Sequence, residues 1–401
     1  MDCLNIVSRA ECTGCGMCKS ICPKRAVDLV EDGEGFLYPC VDRDLCISCG
    51  LCEKYCPVKQ RVQSKHPPLR AYSFYLDDRE KLMESASGGA VTALASATFR
   101  HNGAVYACSY LDGCGDAGFS LCESDADFRK CKSSIYFNTQ PMDQKFVKEL
   151  VGAGRLCMAV GLPCQLAALR NYVGETDNLV CVSLICGGQE PRILHRKVLE
   201  EILSSHPGEA VSHVNYRYKK KNWNTSCLKV DFKSGASHLG GGPFRMAVLR
   251  ESCYACMYKI DNSFADIIVG DFWGCELLGK EHHNEYGTSV ALALTENGRL
   301  WMERTSEFGV LREVPLQAAH ATNKAIAQSR TRSPRRDKIL FLLKDKTPSE
   351  VQKEILGTKG IFLRNVKYMV KGMLPDSLVR LVKRSLHRCL GAGRSRGKGE
   401  P

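Results

Sequence analysis

The sequence predicts three consecutive parts: an α+β module built around cysteine runs, an α/β core, and a basic helical C-terminal tail. Three observations carry this. Two runs of four cysteines share one spacing near the N-terminus, strand-like and helix-like segments alternate from residue 71 onward, and positive charge gathers at the C-terminus. At 401 residues the chain is long enough for several domains, each able to bury its own core. Hydrophobic residues make up 44% and charged residues 25%, which places it among globular proteins and excludes a disordered polyelectrolyte.

The first run is Cys12, Cys15, Cys18 and Cys22, followed by Pro23; the second is Cys46, Cys49, Cys52 and Cys56, followed by Pro57. Both read C-x2-C-x2-C-x3-C-P, the pattern in which three closely spaced thiolates hold one 4Fe-4S cluster and the fourth ligates the other. This assigns Cys12, Cys15, Cys18 and Cys56 to one cluster and Cys46, Cys49, Cys52 and Cys22 to the second. Gly14, Gly16 and Gly50 suit loops whose backbone N–H groups must approach sulfur. Zinc sites more often pair two C-x2-C units across a longer spacer, so the doubled run argues against zinc. A strand, turn and strand over 26–36 are expected to shield the clusters, and the polar linker 59–68 closes the module with Pro67 and Pro68. A chain carrying such a ferredoxin-like dicluster module moves electrons.

The chain has 23 cysteines. With no signal-peptide pattern at its start and no run of roughly 20 apolar residues, these read as metal or redox ligands, and the expected location is cytoplasmic.

In the core, strands are expected over 71–76, 104–110, 155–161 and 179–186, and helices over 88–100 and 164–172, an α/β pattern. Ser87, Gly88 and Gly89 precede the first of these helices. Free N–H groups there suit a phosphate, and the same residues suit an ordinary N-cap; the spacing is not that of a Rossmann fingerprint. Cys164 and Cys186 follow strands, where ligands collect, and Cys253 and Cys256 form a further pair. The four are either ligands of a third cluster or buried structural cysteines like Cys108, Cys131, Cys157 and Cys181.

Five pieces of the core, in order, carry a family resemblance: Ser87, Gly88 and Gly89; Gly161, Leu162, Pro163, Cys164 and Gln165; Ile185, Cys186, Gly187 and Gly188; Ser252, Cys253, Tyr254, Ala255 and Cys256; and 265–274, with Asp266, Asp271, Phe272, Trp273 and Gly274. Up to about Arg336 the chain resembles the coenzyme F-420 hydrogenase/dehydrogenase beta-subunit family with a fused N-terminal dicluster ferredoxin domain. The resemblance implies an α+β ferredoxin-like dicluster domain followed by an α/β flavin-binding core and a basic helical C-terminal tail, with domains at 1–62, 68–154, 155–330 and 331–401. It also implies FAD beside a third 4Fe-4S cluster, with Cys164, Cys186, Cys253 and Cys256 as ligands. Ser87, Gly88 and Gly89 become flavin phosphate contacts, and Lys132, Ser133 and Tyr136 fall in a basic segment near the flavin. Leu162 and Gly187 depart from the Thr and His common in the family; Gly187 removes a proton donor or binding group and leans away from a deazaflavin substrate.

The function expected on this resemblance is an iron-sulfur flavin-dependent oxidoreductase. It passes electrons between 4Fe-4S clusters and an organic two-electron substrate through FAD, with a redox protein such as ferredoxin as partner. The alternative is a non-catalytic electron-relay subunit of a larger redox complex. No catalytic residue is assigned. Asp271 and Trp273 either shape a pocket or pack in the core, and His282 and His283 read as a solvated loop rather than a metal site.

The formal charge is +12, and 330–401 alone holds 19 Lys or Arg against 6 Asp or Glu, which leaves the body near neutral and argues against nucleic acid. Amphipathic helices are expected over 362–373 and 376–390, split at Pro375. Their basic faces suit an anionic membrane surface, an acidic partner, or solvent beside a helix packed on its own domain.

Overall fold

The computed structural model describes residues 6–61, 68–132, 134–240 and 247–373. The dicluster module begins with two one-turn helices, Met17–Ser20 and Leu51–Lys54, that pack together. Each starts after a left-handed glycine, Gly16 (φ 83°) and Gly50 (φ 71°), a conformation that costs a side chain about 1–2 kcal/mol. Between them run β1 (Val27–Glu31) and β2 (Leu37–Val41), an antiparallel hairpin. Strand β2 is buried throughout because the core covers it: Leu37 N–H donates to Asn138 Oδ1 at 2.8 Å, and Arg250 Nη2 donates to the Leu37 carbonyl at 2.9 Å.

The core is one eight-stranded sheet. Its strands are β3 (Arg70–Leu76), β4 (Ala104–Tyr110), β5 (Ala117–Cys122), β6 (Cys157–Gly161), β7 (Leu179–Leu184), β11 (Ile267–Asp271), β12 (Ser289–Ala293) and β13 (Gly309–Val314), in the order β13-β3-β12-β11-β7-β6-β4-β5. The remaining three, β8 (Val211–Lys219), β9 (Ser226–Phe232) and β10 (Ser237–Gly240), form a separate antiparallel sheet. Strands β4, β6, β7 and β11 are parallel neighbours, flanked by antiparallel pairs. Parallel strands are covered on both faces, hence the unbroken burial of Cys157–Gly161. Alternate residues feed two cores: Met158, Val160, Val180, Val182 and Val269 face helices Ala90–Arg100 and Glu296–Arg304, whereas Cys157, Ala159, Cys181 and Ile268 face Gln144–Gly152 and Pro163–Val173.

The expected elements correspond closely, but two ranges change. Ile185 and Cys186 lie beyond the end of β7, in the loop that leaves the sheet. The segments expected as 68–154 and 155–330 both supply strands to the one sheet. The side sheet packs against Arg192–Ser204, Arg336–Leu342 and Val351, so the start of the basic segment belongs to the folded body: Arg336 is 1% exposed and pairs with Glu34 at 2.6 Å. The helix expected at 362–373 is the end of a longer one, Pro348–Met373, interrupted at Gly357 (φ 66°); 376–390 lies outside the described residues.

A buried ion pair ties β7 to β11. Asp266 Oδ2 accepts from Arg170 Nη2 at 2.5 Å and from Cys181 N–H at 2.7 Å, and Oδ1 accepts from Thr295 Oγ1 at 2.8 Å. Asp266→Ala leaves the Arg170 guanidinium buried without that partner, so a loss of about 3–5 kcal/mol in denaturant unfolding is expected, against less than half of that for a surface pair such as Glu313→Ala with Arg70.

Candidate functional site

The cysteine runs acquire geometry first. Cys15 is partly buried, and desolvation with Cys56 and Cys12 alongside pushes its thiol up to about 12; Cys18 is driven up by desolvation, then by Cys15, Cys12 and Cys56. Cys56, from the second run, thus lies beside three cysteines of the first. The other end of the module is open: Cys46 and Cys49 are exposed. Cys22 Sγ accepts from Ala26 N–H at 3.3 Å.

Cys164, Cys186, Cys253 and Cys256 converge as a further quartet. Cys164 follows β6 at the start of helix Pro163–Val173, Cys186 follows β7, and the pair comes from the turn Glu251–Tyr254 and its exit. Burial raises the Cys164 thiol, with Cys256, Cys186, Cys15 and Cys253 adding to it, and the Cys253 thiol is pushed up to about 12 by burial and Cys186. Gly188 N–H donates to Cys186 Sγ and Gln189 N–H to Cys253 Sγ, both at 3.4 Å. No described cysteine is in a disulfide. Buried sulfurs that repel one another in fours suit a cationic cluster that draws each off as thiolate.

These two partly buried quartets meet, as the influence of Cys15 on Cys164 requires. Tyr258, 1% exposed, feels Cys15, Cys164, Cys56 and Cys256, and its hydroxyl has no protein partner. Arg250, fully buried, donates from Nε to the Cys12 carbonyl at 2.6 Å while its Nη1 is unpaired. That Nη1 would lie 2.8 Å from a Cβ at Gly14, so only glycine admits it there. Two orphaned buried donors around the quartets, the Tyr258 hydroxyl and Arg250 Nη1, are what bound clusters, rich in sulfur acceptors, would satisfy.

Beside the third quartet lies a cavity of about 610 Å3 at the C-terminal ends of β6, β7 and β11. Its wall includes Cys186, Gly187 and Gly188 on one side and Ser87, Gly89 and Ala90 on another. Open α/β sheets bind ligands at these strand ends. Helix Ala90–Arg100 enters from Gly89 with no side-chain cap of its own; Ala90 N–H donates to Ser289 Oγ at 3.4 Å, and Val91 and Thr92 of the first turn also line the cavity. Ser87 is on the wall, but its hydroxyl donates to the Thr288 carbonyl at 2.8 Å; Gly88 is off it, wedged against the sheet, where a Cβ would meet the Phe74 carbonyl at 2.1 Å. Lys132 and Tyr136 line the cavity, with Lys132 Nζ 3.0 Å from Glu84, and Ser133 lies outside the described residues.

Asp271 and Trp273 are also wall residues. Trp273 stacks on Trp223 at 4.4 Å, and Arg217 lies over it while pairing with Asp271 at 2.9 Å and donating to the Ala86 carbonyl at 3.2 Å. Nothing in the sequence marks Arg217 as a candidate: it sits on β8, and only the packing of the side sheet delivers it to the cavity. The same strand delivers Lys219, 1% exposed, whose Nζ donates to the Leu82 and Ser87 carbonyls at 2.6 and 2.8 Å and so holds the Ser87 loop.

Burial, with Arg217 adding to it, lowers the Lys219 ammonium to about 7. The unfolded chain therefore binds this proton more tightly between pH 7 and about 10.5, so the cost of burying Lys219 is full below pH 7 and fades as pH rises. Stability relative to Lys219→Met should rise by up to about 1.4 kcal/mol per pH unit from pH 7 to 10, measured by denaturant unfolding of both proteins.

His282 and His283 do not form a solvated loop: both are partly buried, His282 Nδ1 pairs with Ser73 Oγ at 2.8 Å, and His283 faces Cys275. Among the described residues no helix is long and apolar enough to cross a membrane.

Residues 11–60 match the family described as 4Fe-4S dicluster domain, and residues 154–319 match the C terminus of the coenzyme F420 hydrogenase/dehydrogenase beta subunit. No curated protein matches the chain. Among solved structures, it is similar to a chain of the F420-reducing [NiFe] hydrogenase complex from Methanosarcina barkeri, at 16% identity and a TM-score of 0.44, over 73% of this chain and 94% of that one.

Proposed function

Because the chain joins a 4Fe-4S dicluster domain to the C-terminal domain of a coenzyme F420 hydrogenase/dehydrogenase beta subunit, we propose that it is an iron-sulfur flavoprotein oxidoreductase. In this reading it exchanges electrons between three 4Fe-4S clusters and an organic two-electron substrate. The observation that carries the proposal is that Cys186 belongs both to the third cysteine quartet and to the wall of the 610 Å3 cavity. A pure electron relay needs clusters and a docking face but no such cavity.

The quartets are ordered from surface to cavity. Cys46 and Cys49 are exposed, with Leu45 and Ile47 exposed beside them, which suits contact with a redox protein. Cys12, Cys15, Cys18 and Cys56 come next, and Cys164, Cys186, Cys253 and Cys256 adjoin the cavity. FAD bound there would supply the conversion between one-electron carriers and a two-electron substrate. The first-turn N–H groups of Ala90–Arg100 and the Arg217 guanidinium are the groups for its pyrophosphate, and Arg217 Nε is unpaired and buried. Trp273 and the sheet ends form part of the cavity wall. Gly187 leaves that wall without an imidazole and favours a substrate other than a deazaflavin.

Anaerobic purification with iron, sulfide and flavin quantified together tests the reading: about twelve irons and one FAD per chain support it, whereas about eight irons without flavin leave a relay. Arg217→Ala should weaken flavin binding roughly 10- to 100-fold with iron unchanged, as the loss of charge-assisted hydrogen bonds implies; unaltered flavin content would remove Arg217 from the site.

A further inference from the structure

The connection from β11 to β12 gathers ligating side chains that belong to neither the quartets nor the cavity wall. Cys275 is fully buried, Glu276 is 7% exposed, and His283 is partly buried. One ligand atom from each lies within 4.8 Å of the others. Cys275 Sγ is 4.0 Å from Glu276 Oε2 and 3.9 Å from His283 Nδ1. We propose that Cys275, Glu276 and His283 hold a zinc ion, with water as its fourth ligand, that pins the loop carrying Trp273.

The distances fit the metal. Tetrahedral zinc with sulfur at about 2.3 Å and nitrogen or oxygen at about 2.0–2.1 Å separates sulfur from nitrogen or oxygen by roughly 3.6 Å and nitrogen from oxygen by roughly 3.4 Å. The two contacts to Cys275 Sγ need to close in by only a few tenths of an ångström, and Glu276 and His283, within 4.8 Å of each other, by up to roughly 1.4 Å. The donor set also discriminates: one thiolate, one imidazole and one carboxylate suit zinc, whereas all-sulfur quartets suit iron-sulfur clusters and oxygen-only cages suit magnesium or calcium. Thiolate, carboxylate and a divalent ion sum to zero charge, which a buried place tolerates better than isolated ions.

Local backbone brings the three together. Gly274 (φ 81°) turns the chain into the short turn Cys275–Leu277, and a second turn, Lys280–His282, returns His283 to face it. None of the three is on the cavity wall, but Trp273 is, two residues before Cys275. A metal here would hold the Trp273 ring flat against Trp223 and beneath Arg217.

The test uses the full chain, purified anaerobically from cells grown with added zinc. Zinc and iron are measured together, and zinc K-edge X-ray absorption reports the ligand shell. About one zinc per chain is expected, with one sulfur at about 2.3 Å and nitrogen and oxygen at about 2.0–2.1 Å. Cys275→Ser combined with His283→Gln should lower zinc at least tenfold while iron stays constant. Absence of zinc, zinc retained in that double variant, or an all-sulfur shell overturns the proposal, the last because it means zinc in place of iron in a cysteine quartet. If the double variant fails to fold, the shell of the unaltered protein decides: a mixed shell supports the site and a sulfur-only shell ends it.

Discussion

Cys186→Ala is expected to cost the chain about four of some twelve irons and to cut donor-driven reduction of a substrate by roughly 100-fold or more, given that even outer-shell changes at metal sites cost 10- to 100-fold. The reason is topological. Cys186 sits where β7 ends, accepts an N–H from Gly188, and is the cysteine common to the quartet and the cavity wall. The eight cysteines of the dicluster module stay in place, so their share of the iron and its paramagnetic signals should survive. Iron and sulfide analysis with low-temperature spin resonance of the dithionite-reduced protein checks this. A variant that keeps all its iron would mean that the four cysteines are structural thiols after all.

Gly88→Ala should destabilise the fold by roughly 3 kcal/mol or more, because overpacking against immovable atoms forces backbone shifts. A Cβ at Gly88 would meet the Phe74 carbonyl at 2.1 Å and Ser289 N at 2.4 Å, both main-chain atoms of sheet strands that cannot rotate away. Gly113 is the control: its φ is +71° but a Cβ there meets nothing within 4 Å, so Gly113→Ala should cost only the left-handed penalty of about 1–2 kcal/mol. Anaerobic denaturant unfolding of the two variants measures the difference, and equal losses would show that the Ser87 loop is not clamped by the sheet. This also changes what the Ser-Gly-Gly sequence means. Its second residue, Gly88, answers to close packing, and of the three only Ser87 and Gly89 reach the cavity.

The dicluster cysteines are readable because their spacing is local: six of the eight ligands fall within two seven-residue windows, and the geometry around them is set by neighbouring glycines. The third quartet is not readable from spacing, since Cys164 and Cys256 are separated by much of the core; residue pattern alone leaves these four open against structural cysteines, and the family resemblance is what favours ligands. Cys157 and Cys181, similar in sequence context, point into the packed core between sheet and helices, whereas Cys164 and Cys186 lie just past the strand ends. That difference of a few residues along a strand decides between core thiol and candidate ligand.

By itself the sequence determined the dicluster module and the alternation that makes a covered parallel sheet, because these depend on short-range spacing and on burial period. Only the tertiary structure decided that Arg217 and Lys219 of the side sheet reach the cavity and its Ser87 loop, that Arg250 and Tyr258 sit beside the cysteine quartets, that residues 336–351 belong to the folded body, and that His283 faces Cys275. Each is a contact between segments distant along the chain or across an irregular loop. Such contacts are set by how the two sheets and the module dock, and no local propensity encodes them.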